Sequence, residues 1–98
     1  MSLEIEKKND NGTAFALSGR LDTVTAPELE QALDGELTQG AALTLDMAAL
    51  EYISSAGLRV ILKAYKALGE GLRLANVGES VMEVLEITGF TDFLTINE

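Results

Sequence analysis

The stretch Leu50-Glu51-Tyr52-Ile53-Ser54-Ser55-Ala56-Gly57-Leu58-Arg59-Val60-Ile61-Leu62 holds the transition around which the chain is organised: an extended apolar segment stops at two serines and a helical pattern begins. A small hydroxyl residue ahead of an apolar-periodic run is what a helix start needs. Its side-chain oxygen accepts a hydrogen bond from one of the first backbone amides, which have no partner within the helix. The same amides, together with the helix dipole, favour an anion, so a serine held there can carry a phosphoryl group at little structural cost. By position alone, a cap and a modified serine are both open readings.

Downstream of the serines, Leu58, Ile61, Leu62, Tyr65 and Leu68 recur at helical spacing, which predicts a helix from about Ala56 to Leu68 with these residues as its core stripe. Arg59, Lys63 and Lys66 lie along one face that leads back to Ser55, either as a contact for a phosphate or an acidic patch or as an ordinary solvated face. Gly69-Glu70-Gly71 breaks the helix. It is a turn and not a phosphate loop, because no Lys-Ser or Lys-Thr follows. Leu72 to Val77 reads as a fourth strand, Ser80 and Glu83 have capping-box spacing ahead of a short helix ending at Gly89, and Phe93 to Ile96 reads as a last strand.

Upstream, Ala41 to Met47 alternates, with Leu43, Leu45 and Met47 on one side and Thr44 and Asp46 on the other, as a third strand does. Thr25-Ala26-Pro27-Glu28 combines capping-box spacing with a proline in a first turn, and opens a helix whose stripe is Leu29, Ala32, Leu33 and Leu37 and whose end is Gly40. Leu3 and Ile5 alternate with Glu4 and Glu6, and Asn9-Asp10-Asn11-Gly12 closes an antiparallel hairpin onto Thr13 to Leu21, with Phe15 and Leu17 inward. The expected order is β-β-α-β-α-β-α-β with right-handed crossovers. Parallel strands covered on both faces read as continuous apolar runs, whereas the first, third and fourth strands here alternate. The expectation is therefore an α/β domain spanning 1–98, with a mixed sheet, helices on one face and a polar opposite face.

Composition narrows the chemistry. Ninety-eight residues, 47% of them apolar, suffice for one packed core. No run approaches the ~20 apolar residues of a membrane span and no secretory pattern opens the chain, so a cytoplasmic protein is expected. The absence of Cys and His excludes disulfides, Ser-His-Asp and Cys-His catalysis, and the usual zinc ligands. No metal, cofactor or small-molecule ligand is expected. Seven basic against sixteen acidic residues give a net charge of −9, which disfavours nucleic acid and anionic membranes and suits a basic protein surface, or simply keeps the domain soluble. The only candidates for catalysis are the carboxylates of Asp22 and Asp46, and nothing in their spacing makes them converge, so no enzyme is expected.

Gly19-Arg20-Leu21-Asp22 ahead of a helix, an alternating strand through Leu45-Asp46, and Leu50 to Arg59 with its Ser-Ser-Ala-Gly-Leu core at the head of the next helix together resemble the STAS domain of anti-sigma factor antagonists, over essentially the whole chain. The resemblance implies a right-handed β-α superhelix and a phosphorylation-controlled decoy. Its unmodified form binds an anti-sigma factor that is also a serine kinase, which frees the sigma factor. The kinase uses ATP to phosphorylate the antagonist, which then lets go, and a serine phosphatase resets it. Ser55, two before the Gly57-Leu58 pair, is the implied acceptor. Asp22, Thr23, Ser54, Ala56, Gly57, Leu58 and Arg59 make up the implied partner surface, with Asp46, near the end of the adjacent strand, and Lys63 as further contacts. Many relatives carry aspartate at the position of Ser54, so a second hydroxyl stands here beside the acceptor, and Ser54 is the alternative site. The competing reading is a constitutive STAS adaptor of a transporter or regulatory complex, in which Ser55 is only a cap.

Overall fold

Alternation of apolar and polar residues builds the sheet first. The computed structural model describes residues 3–8, 13–38 and 41–97. In chain order these form β1 (Leu3–Lys8), β2 (Thr13–Leu21), α1 (Ala26–Leu33), β3 (Leu43–Ile53), α2 (Ser55–Leu68), β4 (Leu72–Ala75), α3 (Glu79–Ile87) and β5 (Thr95–Asn97). The strands lie in the order β1-β2-β3-β4-β5, with β1 antiparallel to β2 and every later pair parallel. The turn expected at Asn9 to Gly12 and the helix end expected at Gly40 lie outside the described residues.

Register puts like with like. Phe15, Leu45, Leu74 and Ile96 form one row across four strands, and Leu43 pairs with Leu72. These residues meet Leu29 and Leu33 of α1, Ile61 and Ala64 of α2, and Val81 and Leu85 of α3 in a single core. The opposite face carries the rows Glu6-Ala16-Asp46-Ala75 and Lys8-Ala14-Thr44-Arg73, all exposed or half-exposed. The helices therefore share one face, and because each parallel strand is added on the same side of the last, the chain is the expected β-α superhelix.

Several boundaries differ from the sequence expectation for local reasons. The third strand runs on to Ile53 because β3 takes up an extra residue twice against β2, once between the Ala16 and Ser18 pairings and once between those of Gly19 and Arg20. Such bulges shift the buried positions from spacing two to spacing three, so Met47, Leu50 and Ile53 all face the core. Helix α1 stops at Leu33, not Gly40, because Asp34 is already extended and Gly35 has φ +91°, a left-handed conformation that glycine adopts freely. Leu37 lies beyond the helix and is half-buried. On α2 the buried side chains include Val60 and Ala64, whereas Leu62 and Tyr65 are only half-buried. Neither expected capping box forms: Thr25 makes no side-chain cap, and α3 starts after Gly78 with Ser80 inside it. Strand β4 ends at Ala75, and the final strand starts at Thr95, after a helical turn at Phe90–Asp92.

Candidate functional site

Parallel strands deliver their carboxyl ends to the same edge of a sheet, and there the chain turns into helices. Leu21 and Ile53 pair at the ends of β2 and β3, and Ser54 N–H extends the contact by donating to the Leu21 carbonyl at 2.9 Å. The loop into α1 and the head of α2 are thereby brought side by side. Asp22, Thr23, Ser54, Ser55, Ala56 and Arg59, at most 37 positions apart in sequence, belong to this one edge.

The two serines divide the work that the sequence left open. Ser54 is the N-cap: its backbone is extended, its Oγ accepts from Gly57 N–H at 3.4 Å, and its carbonyl accepts from Leu58 N–H at 2.9 Å. Ser55 is the first helical residue and is exposed, and its hydroxyl has no hydrogen-bond partner among the described residues. The reading of Ser55 as merely a cap is thus corrected. Gly57 seats the helix: a Cβ there would come within 2.6 Å of Leu21 Cγ and 3.0 Å of Ile53 Cγ1. Gly57 and Leu58, the latter 6% exposed, lie beneath the surface and shape it from below.

The loop from β2 to α1 is held by its own side chains. Asp22 Oδ1 accepts from the amides of Val24 and Thr25, both at 3.0 Å, closing the turn that leads into α1 rather than capping the helix itself. The Thr25 hydroxyl, 1% exposed as a residue, turns underneath instead: it accepts from Asp22 N–H at 2.8 Å and donates to the Arg20 carbonyl at 2.7 Å. The Thr25 amide bond, opposed by some desolvation and helped by the Thr25 hydroxyl, Val24 N–H and the Arg20 charge, lowers the pKa of Asp22 from the ordinary 3.8. The carboxylate is therefore an internal organiser of the loop, which leaves Thr23 and Val24 at its exposed tip, Val24 being 79% exposed.

Beside them, Thr23, Ala26, Pro27, Glu30, Ala56, Arg59, Val60 and Lys63 line a groove of about 340 Å³ between α1 and α2. Lys63 Nζ bonds Glu30 Oε2 across it at 2.7 Å, which raises the lysine's pKa. Arg59 makes no ion pair among the described residues.

Asp46 is not part of this site. It lies in the middle of β3 on the helix-free face, accepting from Ala48 N–H and Asn76 Nδ2–H, both at 3.1 Å. Eight residues of strand at about 3.3 Å each, less two bulges, put it on the order of 20 Å from Ser54. Asp46 and Asp22 do not converge, since one faces away from the helices mid-strand and the other caps a loop at the strand ends.

Sequence reasoning missed two residues at this edge. The Arg20 guanidinium lies over the Tyr52 ring, 4.1 Å from its centroid, with Nε 3.8 Å from Asp22 Oδ2. Tyr52 is 40% exposed and pairs directly with Arg20 across the strands. Only the bulges in β3 produce that register, and nothing in the local pattern announces them.

Comparison with known proteins fits this architecture. The STAS domain family model matches residues 2–98. The anti-sigma-B factor antagonist of Bacillus subtilis is 30% identical over 101 residues, covering 99% of this chain and 93% of that protein. Among solved structures, an anti-sigma factor antagonist from Mycobacterium paratuberculosis superposes with a TM-score of 0.86 at 27% identity, covering 97% of this chain and 85% of that one. The anti-sigma factor antagonist SpoIIAA of Bacillus shares the fold in its unphosphorylated form at a TM-score of 0.69 and 13% identity, covering 97% of this chain and 88% of that one. In its phosphorylated form it does so at 0.65 and 11%, covering 97% and 92%. The chain belongs to the STAS domain family, within the group that includes the anti-sigma factor antagonists.

Proposed function

We propose that this protein is an anti-sigma factor antagonist switched by phosphorylation of Ser55. Unmodified, it binds an anti-sigma factor with serine kinase activity through the edge formed by Thr23, Ala56, Arg59 and the loop that Asp22 holds, and so frees a sigma factor. The kinase transfers the γ-phosphoryl group of ATP to Ser55 Oγ; the hydroxyl proton leaves, ADP departs, and the complex dissociates. A phosphatase hydrolyses the monoester with water and restores the serine.

The observation that carries this reading is the division of labour between the serines. Ser54 accepts the capping bond while Ser55 stands exposed with a free hydroxyl at the first position of α2. A phosphoryl group on Ser55 adds about −1.5 to −2 charges where the amides of the first turn favour an anion, so the modification leaves the helix standing. It also changes the surface that the partner must meet. The relatives' names support the partner class, and the likeness to both forms of SpoIIAA concerns the fold.

The test is the intact mass of wild type, Ser54→Ala and Ser55→Ala after incubation with ATP and the anti-sigma kinase of the same organism. One phosphate on wild type and Ser54→Ala, and none on Ser55→Ala, is expected. No phosphate on any of them, with the kinase active on another substrate and a stable complex still forming, overturns the switch in favour of a constitutive adaptor.

A further inference from the structure

The head of α2 carries one cation whose partner is not accounted for. Arg59 follows Ser55 by four residues, so the two share a helix face, and side chains on a helix lean toward its N-terminus, which directs the guanidinium back over the turn that holds Ser55. Arg59 also lines the α1–α2 groove, which includes Thr23 and Ala56, the residue that follows Ser55. The neighbouring cation, Lys63, is already bound to Glu30 at 2.7 Å, whereas Arg59 is exposed and makes no ion pair among the described residues. Lys66 and Arg73 also make no ion pair among the described residues, but Lys66 lies about three turns beyond Ser55 on α2 and Arg73 lies on β4, so Arg59 is the unpaired cation one helical turn from Ser55.

We infer that Arg59 clamps the phosphoryl group of modified Ser55 within the same molecule. This rests on the reading of Ser55 as the phosphorylation site and adds how the modified state is held. The guanidinium presents paired N–H donors to two phosphate oxygens, and a phosphate monoester with a second pKa of about 6 is pulled toward its dianion by such a neighbour. The clamp folds the phosphate across the mouth of the α1–α2 groove beside Thr23 and Ala56. It also withdraws Arg59 from the partner, so modification both adds charge and removes a contact.

Phosphoserine placed at position 55 of the full chain during synthesis needs no kinase, and phosphorus NMR follows its second ionisation. Wild type is expected to ionise lower than Arg59→Gln by roughly half a unit, about threefold in the ionisation constant, the size of an exposed ion pair. Arg59→Lys should fall between them. Lys66→Gln, which removes an equal charge farther along the helix, should match wild type, and amide spectra verify that each variant is folded. Coincident curves for wild type and Arg59→Gln overturn the clamp. So does an equal rise in Lys66→Gln, which would report overall charge. If the intact-mass assay finds no kinase-dependent phosphate, the switch fails while the ionisation result stands; if the curves coincide, the clamp fails and the switch is untouched.

Discussion

Ser54 and Ser55 are adjacent and chemically identical, yet the fold gives them different environments, and single substitutions should separate them. Ser54→Ala removes the acceptor for Gly57 N–H and should destabilise the chain by about 1 kcal/mol in urea unfolding, while Ser55→Ala, which removes an unengaged hydroxyl, should stay within about 0.5 kcal/mol of wild type. Gly57→Ala forces a methyl group against Leu21 and Ile53 and should cost about 1–3 kcal/mol, the usual penalty of overpacking. A loss as small as that of an exposed helical site would contradict the seating of α2 on the two strand ends. Asp22 makes a prediction about pH. Its folded pKa is depressed, chiefly by the Thr25 amide, so its contribution is complete above the unfolded value near 3.8. It is lost as pH falls from there through the lower folded value. Stability measured across that interval should fall more steeply for wild type than for Asp22→Asn, which carries no titrating group.

At the level of elements, the loop from β2 to α1 behaves as a preformed support. The buried Thr25 hydroxyl serves the Asp22 amide and the Arg20 carbonyl at once, so Thr25→Val takes a partner from each of two half-buried groups. The expected loss is about 1–3 kcal/mol. The more informative readout is the partner: Thr25→Val should weaken binding although Thr25 itself is buried, because the exposed Thr23 and Val24 lose their fixed position. Full affinity in a folded Thr25→Val chain would mean that the loop's shape does not matter to the partner. The Arg20–Tyr52 stack ties this loop to the end of β3, and the bulges that bring the two side chains opposite each other also carry Leu50 and Ile53 to the core.

For the whole molecule, the sheet and its single helical layer form a frame that the proposed switch does not need to deform. Ser55 stands outside the core, at a helix end whose amides accept negative charge. Ser55→Asp should therefore keep the melting temperature close to that of wild type while reducing affinity for the anti-sigma factor, and phosphorylation should shift amide resonances mainly over residues 22–25 and 54–59. Extensive shifts through β1, β4 and β5 would contradict a switch confined to the surface. Equal affinities of wild type and Ser55→Asp would instead favour the constitutive adaptor.

The sequence by itself determined the order of elements, the antiparallel start, the one-sided helical layer and the serine-headed second helix, because each rests on local periodicity: Leu3 and Ile5, Leu43 and Leu45, and Leu58, Ile61 and Leu68 report their faces without knowledge of the rest of the chain. Only the tertiary structure decided which serine caps and which is free, that Asp22 works within its loop, that Asp46 lies on the helix-free face far from the serines, and that Arg20 meets Tyr52. These depend on strand register, and register at the end of β3 is set by two extra residues whose accommodation is decided by core packing against β2 and α2. Hydrogen-bond partners differ in the same way from periodicity: Thr25 and Glu28 have capping-box spacing, but a hydroxyl goes to whichever half-buried backbone groups would otherwise lack a partner, and here those belong to Asp22 and Arg20.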